Sequence, residues 1–212
     1  MMRAVLVGLL MLAAGPVRAD GERAGEFDYY VLALSWTPSW CALEGDARGS
    51  EQCEPGQGFG FTLHGLWPQY EDGWPAFCPT VERNPSRRMT AEMADIFGTS
   101  GLAWYQWNKH GVCTGLSAPD YYALSRLAYE GVTRPEILRQ LDREVRLPAD
   151  VIEEAFLEAN PGLEDEMLTV TCQAGRVQEV RICLTRALEP RACAPDVARD
   201  CTLTDALFSP MR

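Results

Sequence analysis

The sequence predicts a single domain that mixes β-strands with α-helices and is stapled by disulfides. Three observations carry this. A chain of 212 residues, 47% of them hydrophobic, can bury one core of ordinary size and suits one domain better than two. Segments rich in aromatic and β-branched residues share it with segments of helical period. Eight cysteines, Cys41, Cys53, Cys78, Cys113, Cys172, Cys183, Cys193 and Cys201, follow an N-terminal leader. An even number of cysteines in an exported protein reads as a disulfide framework.

The leader runs from Met1 to Ala19: Arg3, an apolar run from Ala4 to Ala14, a Gly15-Pro16 break, then Val17-Arg18-Ala19. That is the pattern of a secretory signal peptide, and the apolar run is too short to span a bilayer. Cleavage is expected after Ala19, leaving residues 20–212 as the domain, exported to a periplasm or secreted. No later segment has transmembrane length, so the mature form is expected to have no membrane partner; a monomer is expected, though nothing in the sequence fixes the oligomeric state. Structural zinc is the competing use of the cysteines. No spacing is Cys-x-x-Cys and no histidine pair stands at ligand spacing, so no metal and no cofactor is expected. Losing Arg3 and Arg18 with the leader takes the formal charge from −11 to about −13. Such a domain has no generic basic footprint for nucleic acid. It can still be an enzyme that grips a few nucleotides around one phosphate.

Phe27 to Trp36 is aromatic and β-branched and stops at Thr37-Pro38, which predicts a buried central strand. Cys41 to Gly60, with five glycines and no period, predicts a loop that a Cys41–Cys53 bridge would restrain. Phe59 to His64 resumes a strand, and Gly65-Leu66-Trp67-Pro68 is expected to end it, putting His64 at a strand end open to a cleft. Gln69 to Pro79 is a loop whose Tyr70, Trp74 and Phe77 could stack on bases. Thr90 is the expected N-cap of a helix through Phe97, and Ser100 that of a helix carrying Leu102 to His110. On the second helix, i,i+4 spacing puts Tyr105, Gln106, Lys109 and His110 on adjacent strips of one face, leaving Leu102, Trp104 and Trp107 as anchors. Three more helical segments follow, at Asp120–Glu130, Pro135–Arg146 and Pro148–Asn160. The clearest hairpin joins Met167–Cys172 to Arg176–Leu184 through Gln173-Ala174-Gly175. The tail from Thr185 is loop-rich.

The scarcest residues cluster. The chain has two histidines, His64 and His110, and its one lysine is Lys109 among eighteen arginines. Lysine is a compact point charge that arginine does not replace in a reaction centre. Two imidazoles and an ammonium are what metal-free RNA cleavage requires. One neutral imidazole takes the proton of the ribose 2′-hydroxyl, one imidazolium protonates the departing 5′-oxygen, and the ammonium faces the phosphate.

Phe61-Thr62-Leu63-His64-Gly65-Leu66-Trp67-Pro68 and Trp107-Asn108-Lys109-His110-Gly111-Val112-Cys113 resemble the two active-site segments of the ribonuclease T2 family. Phe27 to Trp36, Asp120-Tyr121-Tyr122 and the Cys172 to Cys201 region resemble it too. The resemblance implies an α+β fold with a central antiparallel sheet flanked by helices. It also implies an endoribonuclease that cuts single-stranded RNA, not DNA, through a 2′,3′-cyclic phosphate to 3′-phosphate ends. By the family's motif, His64 is the general acid and phosphate ligand, His110 the general base and Lys109 the transition-state cation. Trp67 and Trp74 resemble the aromatic wall around a base, with Gln69 and Tyr105 as further substrate-binding residues. The family's pairing implies Cys78–Cys113, Cys172–Cys201 and Cys183–Cys193. Tyr105 stands where many members carry a third histidine, and Gln106 where many carry glutamate. Gln106, one turn before His110, could reach that imidazole or the phosphate, but as an amide it holds no proton. An alternative reading, a catalytically weakened relative that binds RNA or a protein, rests on Gln106 and the low pI.

Overall fold

The computed structural model describes residues 22–212; the expected leader lies outside them. Strand β1 (Tyr29–Trp36) pairs antiparallel with β2 (Phe61–Gln69) on one edge and with β5 (Arg176–Leu184) on the other. Further along the chain β5 also pairs antiparallel with β4 (Leu168–Gln173), through a turn in which Ala174 and Gly175 take positive φ. The short strands β3 (Val145–Leu147) and β6 (Ala206–Phe208) complete a six-stranded sheet of order β2-β1-β5-β6-β3, with β4 off that path. The sheet is mixed, since β6 meets Arg176 of β5 by one parallel pairing.

Both faces of β1 are covered, so it reads as a continuous apolar run rather than an alternation. Tyr30, Leu32, Leu34 and Trp36 enter the main core. Tyr29, Val31 and Ala33 point the other way, into a small cluster closed by Cys183, Ala194 and Val197. The cleft opens on this second face, with Val31 among its lining residues. The helices are α1 (Thr37–Trp40), α2 (Arg87–Ala91), α3 (Ala94–Phe97), α4 (Ser100–Lys109), α5 (Ala118–Glu130), α6 (Glu136–Arg139) and α7 (Asp150–Ala159). Tyr121 and Tyr129 of α5 donate to the carbonyls of Leu66 and Phe61 at 3.1 and 2.9 Å, covering an edge of β2 that would otherwise be open to pairing.

Several boundaries differ from the sequence reading. Strand β2 does not stop at Gly65 but runs on to Gln69, because it is an edge strand, where Pro68 loses no ladder bond. The loop after β1 contains α1, a π turn (Cys41–Gly45) and a 3-10 turn (Glu51–Cys53). Ser86, not Thr90, caps the helix before Gly98, and the segment is split into α2 and α3. Thr99, not Ser100, caps α4 by accepting from the Leu102 amide at 3.1 Å. Trp107 is fully buried and anchors α4, whereas Trp104 is 49% exposed and does not. The segment Pro135–Arg146 is helical only over α6, since its end is recruited by β6 as β3.

The disulfides are Cys41–Cys53, Cys78–Cys113, Cys172–Cys201 and Cys183–Cys193. Cys78–Cys113 closes the largest loop, 35 residues, and ties the segment after β2 to the end of α4. Replacing both of its cysteines with alanine is expected to cost about 3–4 kcal/mol by the loop-entropy relation. Closing only 10 residues, Cys183–Cys193 should contribute about 1 kcal/mol less. Denaturant melts of the two double variants check this order; the reverse order would contradict it.

Candidate active site

The cleft is built on an irregularity in β2. Leu34 of β1 faces Leu63 and Ala33 faces Gly65, so His64 is the extra residue of a β-bulge. A bulge shifts side-chain parity by one. Phe61, Leu63 and Leu66 therefore all enter the main core, while His64 and Trp67 both turn to the cleft. His64 is thus in mid-strand, not at a strand end. Across β1, the residues facing the cleft floor from β5 are Glu179, opposite Ser35, and Arg181, opposite Ala33.

Glu179 is 1% exposed. One of its carboxylate oxygens accepts from Ser35 Oγ at 3.1 Å and contacts His64 Nδ1. The other accepts from Arg181 Nε and Nη2 at 3.0 and 2.9 Å. Burial alone would push this carboxyl up, but the bond and charge of His64, with Arg181, outweigh it and hold it at about 2. Glu179 is therefore ionised throughout the range in which imidazoles titrate.

His110 caps the C-terminus of α4, where its amide donates to the Gln106 carbonyl at 2.9 Å. The ring is buried, with Nδ1 enclosed and without a hydrogen-bond partner. Burial first, then the charges of Lys109 and His64, pushes its pKa down from 6.5 to about 3. The ring is a neutral base at ordinary pH. The unfolded chain binds the proton more readily than the fold does between these values, so stability rises with pH across that window. It is fully present above pH 6.5 and is lost as pH falls toward 3, by on the order of a few kcal/mol. Melting temperature should fall over that range, and less steeply in His110→Ala; equal slopes would contradict the assignment.

Trp67 connects the two imidazoles. Its ring is edge-on to His64 at 5.0 Å between centroids and nearly parallel to His110 at 5.3 Å. Its Nε1 donates to Gln106 Oε1 at 2.8 Å. The Gln106 side chain is thus bonded to Trp67 rather than to the His110 ring. Gly65 makes room for this bond, since a Cβ there would lie 2.2 Å from Trp67 Nε1 and 2.3 Å from Gln106 Oε1.

His64, Trp67, Gln69, Trp74, Tyr105, Gln106, Lys109 and His110 all line one cleft of about 340 Å³, with Arg181 and Asp196 beside them. Gln69 is buried at the end of β2, whereas Trp74 and Tyr105 are 55% and 44% exposed at the rim. Lys109 has no acidic partner among the described residues. Tyr70 packs against the main core and Phe77 is exposed, and neither lines the cleft. A second depression, about 690 Å³, adjoins the first and shares His64 and Tyr105 with it; Ser35, Thr62, Leu102 and Glu179 line its other side. All eight cysteines are in disulfides, and among the described residues no group of three acidic, histidine or cysteine side chains could hold a metal ion.

Sequence reasoning missed Glu179, Arg181 and Asp196. A signal for the first two was present: Glu179, Arg181 and Cys183 alternate with Val180, Ile182 and Leu184, which marks them as one face of a strand. Nothing in the sequence placed that face beside His64.

Fold and site together define a disulfide-stapled α+β domain that gathers two imidazoles and an ammonium in one cleft. The chain belongs to the Ribonuclease T2 family, whose model matches residues 27–193. A ribonuclease of Aeromonas hydrophila is 43% identical over 123 residues, which cover 57% of this chain and 54% of that protein. Ribonuclease DdI of Dictyostelium discoideum is 23% identical over 207 residues, 86% of each chain. The chain spans about half the length of the first curated relatives it matches, 54% for the Aeromonas protein and 44% for a probable ribonuclease of Haemophilus influenzae. Among solved structures, RNase NT in complex with 5′-AMP superposes with a TM-score of 0.64 at 20% identity, covering 88% of this chain and 100% of that one. An RNase-related protein from Calystegia sepium gives 0.65 at 22% identity, covering 88% and 98%. These likenesses are of fold.

Proposed function

We propose that the chain is an endoribonuclease that cuts single-stranded RNA by metal-free transphosphorylation. His110, neutral, takes the proton of the ribose 2′-hydroxyl. The 2′-oxygen attacks phosphorus, the bond from phosphorus to the 5′-oxygen breaks, and His64 delivers a proton to that leaving oxygen. A 2′,3′-cyclic phosphate results. In the second half the roles reverse: His64 takes a proton from water, which opens the ring, and His110 returns one to the 2′-oxygen, leaving a 3′-phosphate. Lys109 meets the negative charge that builds on the phosphate oxygens. Trp67, Gln69, Trp74 and Tyr105 hold the nucleotide, and the second depression takes the chain on the other side of the cut.

The observation that carries this reading is the pair of imidazoles in opposite settings around one cleft, His110 buried and neutral and His64 held by a carboxylate. A buried neutral imidazole can take a proton, and one anchored on a carboxylate is oriented to give one. The disulfides support work in an oxidising compartment after export, and the described residues contain no helix long and apolar enough to cross a membrane. An RNA oligonucleotide and its all-deoxy counterpart, each incubated with the protein in EDTA, test the proposal. RNA alone should be cut, and equal cutting of the deoxy strand would overturn it.

A further inference from the structure

We propose that the Glu179–Arg181 pair on β5 is a working part of this cleft. Glu179 is a positioning residue that fixes which nitrogen of His64 meets the substrate, and Arg181 is a second phosphate-binding cation beside Lys109. The inference rests on the ribonuclease reading and goes beyond it.

The first half follows from hydrogen-bond bookkeeping. An ionised carboxylate only accepts, so the His64 nitrogen it touches, Nδ1, carries the proton in the neutral ring as well as in the imidazolium. Nε2 is then the nitrogen that gives and takes the catalytic proton. Ser35 on β1, with the arginine pair, holds the carboxylate in place from its other sides. The whole assembly spans β2, β1 and β5, and a buried acid this well partnered is rigid.

The second half follows from which edge of the guanidinium is spent. Nε and Nη2 of Arg181 point at Glu179, while Nη1 has no partner among the described residues. The guanidinium lies over the Trp67 ring, 5.5 Å from its centroid, and the side chain lines the cleft that holds Lys109 and both histidines. Arg181 stands opposite Ala33 in the sheet, on the face that carries the cleft. A planar donor clamped on one edge and open on the other is suited to a phosphate. The opposing account makes Arg181 a counterion for Glu179 and nothing more.

Two measurements decide. In wild-type protein, nitrogen-15 spectra of the two histidines at a pH where His64 is neutral should show its proton on Nδ1; a proton on Nε2 would overturn the positioning role. In Glu179→Gln that preference should weaken and kcat should fall by at least about tenfold, the lower end for partners that orient metal-bound imidazoles, and by up to about ten-thousandfold, as when the carboxylate behind a catalytic histidine becomes an amide. For Arg181, kcat/KM on a short RNA is followed against salt concentration. Removing one phosphate contact on a single strand should reduce the slope of log kcat/KM against log salt by about 0.7. Arg181→Met should show that loss, and the double variant Glu179→Gln/Arg181→Met should show it without leaving a buried carboxylate unpaired. An unchanged slope in the folded double variant makes Arg181 a counterion only. Wild-type protein that cuts no RNA would instead sink the ribonuclease reading, leaving the spectra to judge the His64 contact by themselves.

Discussion

Replacing His110 with alanine is expected to lower kcat/KM on RNA by about a hundredfold to ten-thousandfold, the contribution of a positioned acid–base group, while the fold survives. The base is lost outright, because no other unpaired imidazole reaches the cleft. The fold survives because α4 is held by the buried Trp107 and Ala103, by the Tyr122 hydroxyl on the Ala103 carbonyl at 3.0 Å, and by the Cys78–Cys113 bridge. The substitution also removes a buried nitrogen that has no partner, which offsets part of the lost packing against Trp67. His64→Ala should cost about as much, since either histidine disables the same step. The pH profile carries a related expectation. kcat/KM reports the free enzyme, and its base is neutral down to about pH 3. The acid limb should therefore lie well below the ordinary imidazole range. A fall in kcat/KM of less than about threefold in His110→Ala, against the range above, would contradict the assignment.

Gly65→Ala is expected to have the next largest effect, although it adds one methyl group. Gly65 does not take a positive φ, so the backbone tolerates alanine and the objection is one of space. The new Cβ would overlap both ends of the Trp67–Gln106 bond, at 2.2 and 2.3 Å, and Trp67 Cδ1 at 2.8 Å. Gln106 is 1% exposed and cannot move outward cheaply, so the indole must turn. Trp67 then leaves its place between His64 and His110. Overpacking of this kind costs about 1–3 kcal/mol, and misplacing the cleft by about 1 Å costs up to about a hundredfold in rate. Melting and steady-state kinetics on the variant check both; wild-type values for the two together would show that Trp67 has freedom the structure does not give it.

The chemistry was legible because it is local. His64 with Trp67, and Lys109 with His110, each lie within one short stretch, and helical spacing alone put Tyr105, Gln106, Lys109 and His110 on neighbouring strips. The path of the chain between them was less so. Gly65 and Pro68 are ordinary strand breakers, and only the bulge at His64 and the edge position of β2 explain why the strand continues through them. That continuation sets the parity on which Trp67 and Gln69 reach the cleft. Trp104 and Trp107 are the same residue type three apart on one helix, and which of them is buried depends on the elements packed against it. The meeting of Glu179 with His64 was out of reach, because the two stand 115 residues apart and pairing between strands carries no mark in either segment. The end of the Pro135–Arg146 segment went to β3 for the same reason, drawn into the sheet by β6 against its helical period.

The central claim is that the ribose 2′-oxygen is the nucleophile. A DNA oligonucleotide carrying a single ribonucleotide, incubated briefly with the protein in EDTA and weighed by mass spectrometry, tests it most directly. The account predicts one cut, on the 3′ side of the ribonucleotide, giving a 2′,3′-cyclic phosphate that later becomes a 3′-phosphate, with a 5′-hydroxyl on the other fragment. Fragments ending in a 3′-hydroxyl and a 5′-phosphate would mean that water attacks phosphorus directly, and would contradict it.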